Sequence, residues 1–341
     1  MLRIRIVAPR LREKSKRTIY LDQSTLCDAF RSCMQPPSAV AEYRPLMPWI
    51  ERVAHEANLC LSTAHIIEIA GIPQKHLVQA EGIAAWVDAL PTVWVRSVNE
   101  VVPEEADYWT KRAAGIVPSG EPENFTDDIA DAYSTMDPAA RRTAAATPGS
   151  IYPFLDAARE YGFEDARDRM REVAEAIRTV YEQRRALGIV FTDARQRQER
   201  RTAIRTLALE AIERVNARND ADLGGQQLPR TTMDLLVDLW EKDPTVLPSW
   251  RIRLAHTTYL AERYGKISSD KKLRAETRSD WVDYQHVAVA AAHCAVFTCD
   301  GRVAASIREA RVGLGLSPPL TAKNHPGGIA GFVAALMSMW P

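Results

Sequence analysis

Four short runs of β-branched, aromatic and aliphatic residues interrupt a chain that otherwise reads as helix, and their placement restricts the folds open to it. "TIYL" (18–21) ends directly in Asp22, "LCLS" (59–62) runs into Thr63, "TVWV" (92–95) follows Pro91, and "AVFT" (295–298) stops two residues before Asp300. Runs of this length suit buried strands. Between the first three lie helical patterns at 45–57, 63–70 and 74–90, the last with Leu77, Ile83, Ala84 and Val87 at helical spacing. Ser62 and Thr63 are natural N-cap residues for the second of these helices. Strand, helix, strand, helix predicts a parallel sheet with crossover connections. A further run, "LRIRIV" (2–7), alternates apolar and charged side chains like a half-buried strand.

After about residue 105 the strand signals stop. Gly and Pro clusters at 115–122, 147–153 and 224–229 separate long Ala, Glu and Arg patterns of helical period, notably 154–187 and 193–218. The block 106–270 therefore reads as entirely helical. At 279 the α/β character returns, with a helix over 280–293, the strand at 295–298 and a helix over 302–312. The expected architecture is an α/β domain with a central parallel sheet, formed by 1–105 and 271–341 and interrupted by a helical insertion at 106–270. "IAGFVAALMSMW" (329–340) reads as a packed C-terminal helix, being shorter than the roughly 18 apolar residues of a membrane span, so no membrane is expected.

With 341 residues, 46% of them hydrophobic, the chain can bury a substantial core. Lys plus Arg and Asp plus Glu both number 44, so no overall field draws in a polyanion and any such site must be local. The cysteines at 27, 33, 60, 294 and 299 show neither CxxC nor zinc-site spacing, which suits free thiols in a reducing cytoplasm. The basic start has no continuous apolar stretch behind it and does not read as a secretory signal.

In a parallel α/β sheet, functional groups gather at the carboxyl ends of the strands. Asp22 and Asp300 follow two such ends, and Glu68 lies on the second turn of the helix after "LCLS". Asp283, with Asp280 and His286, forms an i, i+3, i+6 set on the helix before the last strand. Carboxylates brought together repel unless a hard cation or a shared proton intervenes. Oxygen-only ligation suits Mg²⁺ or Mn²⁺, and such an ion supports metal-assisted phosphoryl chemistry. Singly, each acid has a plainer reading: Asp22 as a turn or cap, Glu68 as a surface residue, Asp280 and Asp283 as partners of a helix dipole, Asp300 as a turn before Gly301.

"IYLDQSTL", "LSTAHIIEIAG" and "DYQHVAVAAAHCAVFTCD" together resemble the PIN-domain family of metal-dependent nucleases, over about 18–105 and 271–312. The last motif, an Asp, a helix with His three residues on, a short strand and Thr-x-Asp, is similar to that of bacterial PIN-like proteins. The resemblance implies a PIN-like three-layer fold in which Asp22, Glu68, Asp283 and Asp300 bind Mg²⁺ or Mn²⁺ and carry catalysis. Gln23 and Ser24 stand where Thr and Asn often follow the first Asp, and the Ser24 hydroxyl can supply an auxiliary hydrogen bond. Asp280 and His286 are further auxiliary candidates.

"DARQRQERRTAIR" (193–205) places Arg195, Arg197, Arg200, Arg201 and Arg205 on one helix. Such a helix can follow a phosphate backbone, or it can be a solvated face tied by internal ion pairs. Arg10, Arg12, Lys14, Lys16 and Arg17 read as a basic linker, and Trp240 and Trp250 as packing residues. The expectation is a divalent-metal-dependent nuclease cleaving RNA in preference to DNA, with a regulatory protein or a second copy as further partner. The alternative is a non-catalytic PIN-like scaffold whose helical insertion binds a partner protein or nucleic acid.

Overall fold

The computed structural model describes residues 17–34, 39–132, 150–161, 164–186, 193–218, 220–267 and 269–340. The run at 2–7 and the basic residues from Arg10 to Lys16 lie outside them. Five described strands form one sheet: β1 (Thr18–Tyr20), β2 (Asn58–Leu61), β3 (Thr92–Val95), β4 (Phe125–Thr126) and β5 (Val296–Phe297), in the order β4-β3-β2-β1-β5. The pairs of β1 with β2, β1 with β5 and β2 with β3 are parallel, registered at Ile19 with Leu59 and Val296 and at Leu59 with Thr92.

The sheet is mixed, which corrects the expectation of a purely parallel one. β4 pairs antiparallel with β3, matching Trp94 to Thr126 and Val95 to Phe125, and it lies inside the block read as entirely helical. Two residues are too few to show a period of two. β4 is held from outside, by Arg96 N–H bonding the Asn124 carbonyl at 3.1 Å and by the Arg96 guanidinium on the Glu123 carbonyl at 2.6 Å.

Helices α1 (Gln23–Cys33), α2 (Leu46–Glu56), α3 (Thr63–Ala70) and α4 (Leu77–Ala89) link the first strands. α5 (Val98–Ala113) and the four-residue α6 (Ile129–Ala132) flank β4. Then come α7 (Tyr152–Tyr161), α8 (Glu164–Ala186), α9 (Asp193–Ala217), α10 (Thr232–Lys242) and α11 (Pro248–Tyr264), followed by α12 (Asp270–His293), α13 (Gly301–Gly313) and α14 (Gly328–Ser338). α12 starts ten residues before the 280–293 expected. Its early turns, "DKKLRAETRSD", are too charged to show an apolar stripe, although Ser269 caps them by accepting from Lys272 N–H at 3.2 Å. Asp280 and Asp283 therefore sit in mid-helix, where an amino-terminal dipole does not reach them.

Side chains alternate across the strands, and both faces are buried. Ile19, Leu21, Leu59, Leu61, Trp94 and Val296 face a core built with α1, α2, α3, α4, α7 and α14, including Leu26, Ile50, Ile66, Ile83, Phe154 and Phe332. Tyr20, Cys60, Val93, Val95 and Phe297 face the other way, toward α5 and α12. The same cluster takes in Ile204 and Ala208 of α9, Leu236 of α10 and Ile252 of α11, so the helical segment shares its apolar core with the sheet. Each fully buried Leu, Ile, Val or Phe contributes about 1.5–3 kcal/mol.

A buried polar knot ties α5, α11 and α12 together. Glu105 accepts from the Ser249 hydroxyl at 2.7 Å, the Ser249 N–H at 3.0 Å and His293 Nε2 at 2.8 Å. At the far edge, Thr298 bridges Leu320, with Cys299 N–H on the Leu320 carbonyl at 3.1 Å and Leu320 N–H on that of Phe297 at 3.0 Å.

Candidate functional site

The strand order reverses at β1. From there the chain proceeds outward through β2 and β3, whereas β5 lies on the opposite side of β1. In an open α/β sheet this switch point leaves a crevice beyond the carboxyl ends of the two strands, since their crossover helices lie on opposite sides. Asp22 follows β1 and Asp300 follows β5, each at the N-cap position of the next helix. A cavity of about 190 Å³ opens there, and Asp22, Glu68, Asp283 and Asp300 all line it, together with Ser24 and His286.

Asp22 occupies an N-cap position, yet its side chain does not cap α1. Its carboxylate accepts from Ser24 Oγ, from Thr25 Oγ1 at 2.5 Å and from Thr298 Oγ1 at 2.7 Å. Three hydroxyls thus fix an acceptor-only group in one orientation at the cavity wall.

Glu68 reaches the cavity from α3. It keeps a solvent-facing side, but protein encloses its carboxyl group enough that desolvation, then the charges of Asp22 and Asp300, push its pKa up to about 7. Asp283, from α12, is raised well above the usual carboxylate range by burial and then by Asp300, Glu68 and Asp280. Burial is the larger cause of both shifts, and the charges of the neighbouring acids add to it.

Asp300 does cap its helix, accepting from the Arg302 N–H at 2.7 Å and the Val303 N–H at 2.8 Å through one oxygen. The other oxygen lies 3.4 Å from Arg302 Nε. The same guanidinium stands 3.7 Å from Asp280, which is buried and accepts from the Tyr264 hydroxyl at 2.7 Å. Asp280 does not line the cavity. It sits behind Asp283, where burial raises its pKa first and Asp300 adds to the rise.

The floor is aromatic and buried. Tyr20 stacks on Phe297 and His286 at centroid distances of 5.1 and 5.6 Å and meets His65 edge-on at 5.2 Å. His65 Nδ1 accepts from the Ser62 N–H at 3.0 Å, so Nε2 carries the proton and donates to the Leu21 carbonyl at 2.7 Å. Burial lowers the His65 pKa, which keeps the ring neutral. Cys299 also lines the cavity, but burial and then Asp22, Asp300 and Asp283 hold its thiol protonated.

On α9, Arg205 pairs with Asp234 at 2.7 Å, and Arg201 with Glu241 at 3.4 Å and Asp238 at 3.9 Å. These two side chains follow the internal ion-pair alternative. Arg197 and Arg200 are exposed, and the Arg195 side chain lies outside the described residues. Trp240 and Trp250 pack edge to face at 5.8 Å against the second core.

Arg302, Thr25 and Thr298 were not singled out from sequence as site residues. Thr298 carried a signal, as the Thr of the Thr-x-Asp in the last motif. Arg302 carried none, because an Arg in the first turn of a helix is ordinary. Among the described residues, no three His, Cys, Asp or Glu side chains are drawn into metal-ligand spacing. The acids are spread around the cavity wall, as charges that repel one another would be. Comparison of the chain with family models, with curated proteins and with solved structures returns no match.

Proposed function

We propose that the chain is a divalent-metal-dependent phosphodiesterase of PIN-like type, acting on RNA. The observation that supports this reading is the lining of one switch-point cavity by four acids that lie far apart in the sequence. The donor set is chemically suited to a hard cation: carboxylate oxygens, with Glu68 and Asp283 held against full ionisation until positive charge arrives. Asp22, Glu68, Asp283 and Asp300 would hold Mg²⁺ or Mn²⁺, which supplies charge neutralisation and Lewis acidity toward phosphodiester oxygens.

The chain's own groups divide the remaining work. Three hydroxyls keep Asp22 in one rotamer, so its oxygens need no reorganisation on binding. Glu68, raised to about 7 without a cation, would ionise on binding one and release its proton, so metal affinity should rise with pH. Arg302 pairs with Asp280 and Asp300 and offsets part of the acids' charge. The apolar floor of Tyr20 and Phe297 limits water below the acids.

A second reading, a PIN-like scaffold without catalysis, draws on Asp300, whose carboxylate is already engaged by a helix N-terminus and by Arg302. Manganese-dependent cleavage of single-stranded RNA decides between them. The nuclease reading expects cleavage by the native protein and none by Asp22→Asn or Asp283→Asn. Equal cleavage by both variants, or none by any, removes it.

A further inference from the structure

A second cleft begins one helix turn from Arg302. Two adjoining cavities, of about 430 and 590 Å³, share Arg200, Trp240 and Arg251 among their walls. The larger adds Arg197 and Arg201, and the smaller is floored by α13 at Ser306, Glu309 and Gly313. Four arginines therefore face two acids, Glu241 and Glu309, in a chain whose overall charge is zero. Glu241 is taken up by Arg201. Arg197 and Arg200 have no acidic partner among the described residues.

Arg251 is the fixed element of this cleft. Its Nε and Nη2 are engaged by the carbonyls of Val246, Asp243 and Trp240 at the end of α10, and its guanidinium lies 4.3 Å over the Trp240 ring. Nη1 has no hydrogen-bond partner among the described residues, and desolvation lowers the pKa of the group to about 10. The hydrogen-bond partners of this guanidinium are neutral carbonyls, and Asp243 offsets its charge only as a near neighbour, which leaves Nη1 to an anion.

The cleft and the acid cavity share α13. Arg302, Ser306, Glu309 and Gly313 are spaced by four, three and four residues, which places them on one stripe of that helix. Asp300 caps the same helix, and at 1.5 Å per residue Ser306 lies about 9 Å along it. A chain of phosphates running along α13 from its capped end would arrive at Arg251 and Arg200.

We infer that this cleft binds the phosphate backbone of a single-stranded nucleic acid, as a second subsite along the helix that Asp300 caps. The inference rests on the nuclease reading for its choice of ligand and is independent of cleavage for its test. Arginine forks match phosphate oxygens, and contacts of this kind are salt-dependent and indifferent to sequence.

The test is fluorescence anisotropy of a labelled single-stranded oligoribonucleotide of about ten residues, in EDTA, across a salt series. The variants are Arg197→Gln/Arg200→Gln and, as control, Arg205→Gln, whose side chain already pairs with Asp234. The double variant should weaken binding about tenfold and reduce the slope of log affinity against log salt by about 1.4, the value for two lost single-strand phosphate contacts. The control should stay within about twofold of the native protein. An unchanged slope in the double variant, or no oligonucleotide binding by the native protein, overturns the inference. So does equal competition by poly-glutamate, which would assign the cleft to an acidic protein. Manganese-dependent cleavage is scored separately: binding through the cleft without cleavage removes the nuclease reading alone, and cleavage with unaltered binding by the double variant removes this subsite alone.

Discussion

Thr298 and Asp22, on neighbouring strand ends, are joined twice: the Thr298 hydroxyl accepts from the Asp22 N–H at 2.8 Å and donates to the Asp22 carboxylate at 2.7 Å. One hydroxyl thus fixes both where the chain leaves β1 and which way its first acid points. Thr298→Val should cost about 1.5–3 kcal/mol by removing a charge-assisted hydrogen bond and stranding the Asp22 N–H, and Thr298→Ser should recover most of it. Urea unfolding midpoints of the three proteins check this. Equal midpoints for the Val variant and the native protein would show that the pair contributes nothing.

Asp283→Asn replaces a carboxyl that burial and the neighbouring acids hold against ionisation, while keeping its shape. The metal-free variant should melt higher than the native protein by about 2 °C or more, since relief of each kcal/mol is worth about 2–4 °C in a domain of this size. In Mn²⁺ the order should reverse, because the native protein gains a thermal shift that the variant lacks. Scanning calorimetry with EDTA and with Mn²⁺ gives both comparisons.

The pH dependence of stability follows from Glu68. Its carboxyl titrates near 7 when folded and in the ordinary carboxylate range when unfolded. Between those values the native state holds the extra proton, so stability falls as pH rises and the loss is complete above about 7. Thermal melts in EDTA from pH 5 to 8.5 should show this decline, and Glu68→Gln should reduce it, leaving the part that the raised Asp283 contributes. A native curve that rises through that window would contradict the placement of Glu68 among the other acids.

Away from the cavity, Glu105 accepts three hydrogen bonds from Ser249 and His293 inside the protein. Glu105→Ala leaves those donors without an acceptor and should destabilise by about 3–5 kcal/mol, the cost of breaking a buried polar pair from one side. Ser249→Ala, which keeps the backbone N–H bond, should cost about 1–2 kcal/mol. Denaturant unfolding of both variants orders the two effects.

Much of the site's position was legible because it depends on strand ends. "TIYL" and "AVFT" announce themselves by composition, and the residues that follow such runs must lie at one edge of the sheet, whatever the helices do. Glu68 and Asp283 were placed by helical spacing from those edges. β4 was not legible, since a two-residue strand has no periodicity and is held by Arg96 and its neighbours. The start of α12 was not legible because the buried row of its early turns, Leu273, Thr277 and Asp280, holds one apolar residue among charged neighbours. Arg302 was missed because its role is set by Asp280 and Asp300 approaching it, and no local pattern encodes that approach. The ion pairs of Arg201 and Arg205 likewise depend on α10 lying alongside α9.

Among the described residues, both margins of the sheet offer little to an added strand. On one side the outermost strand offers only Phe125 and Thr126, and on the other Leu320 already occupies the ladder positions beside Phe297 and Cys299. Backbone templating by an extended peptide therefore has no continuous row of free amides to copy. Recognition of the described surface would then fall to side chains and helix faces, and short, covered sheet edges disfavour the edge-to-edge stacking that seeds fibres.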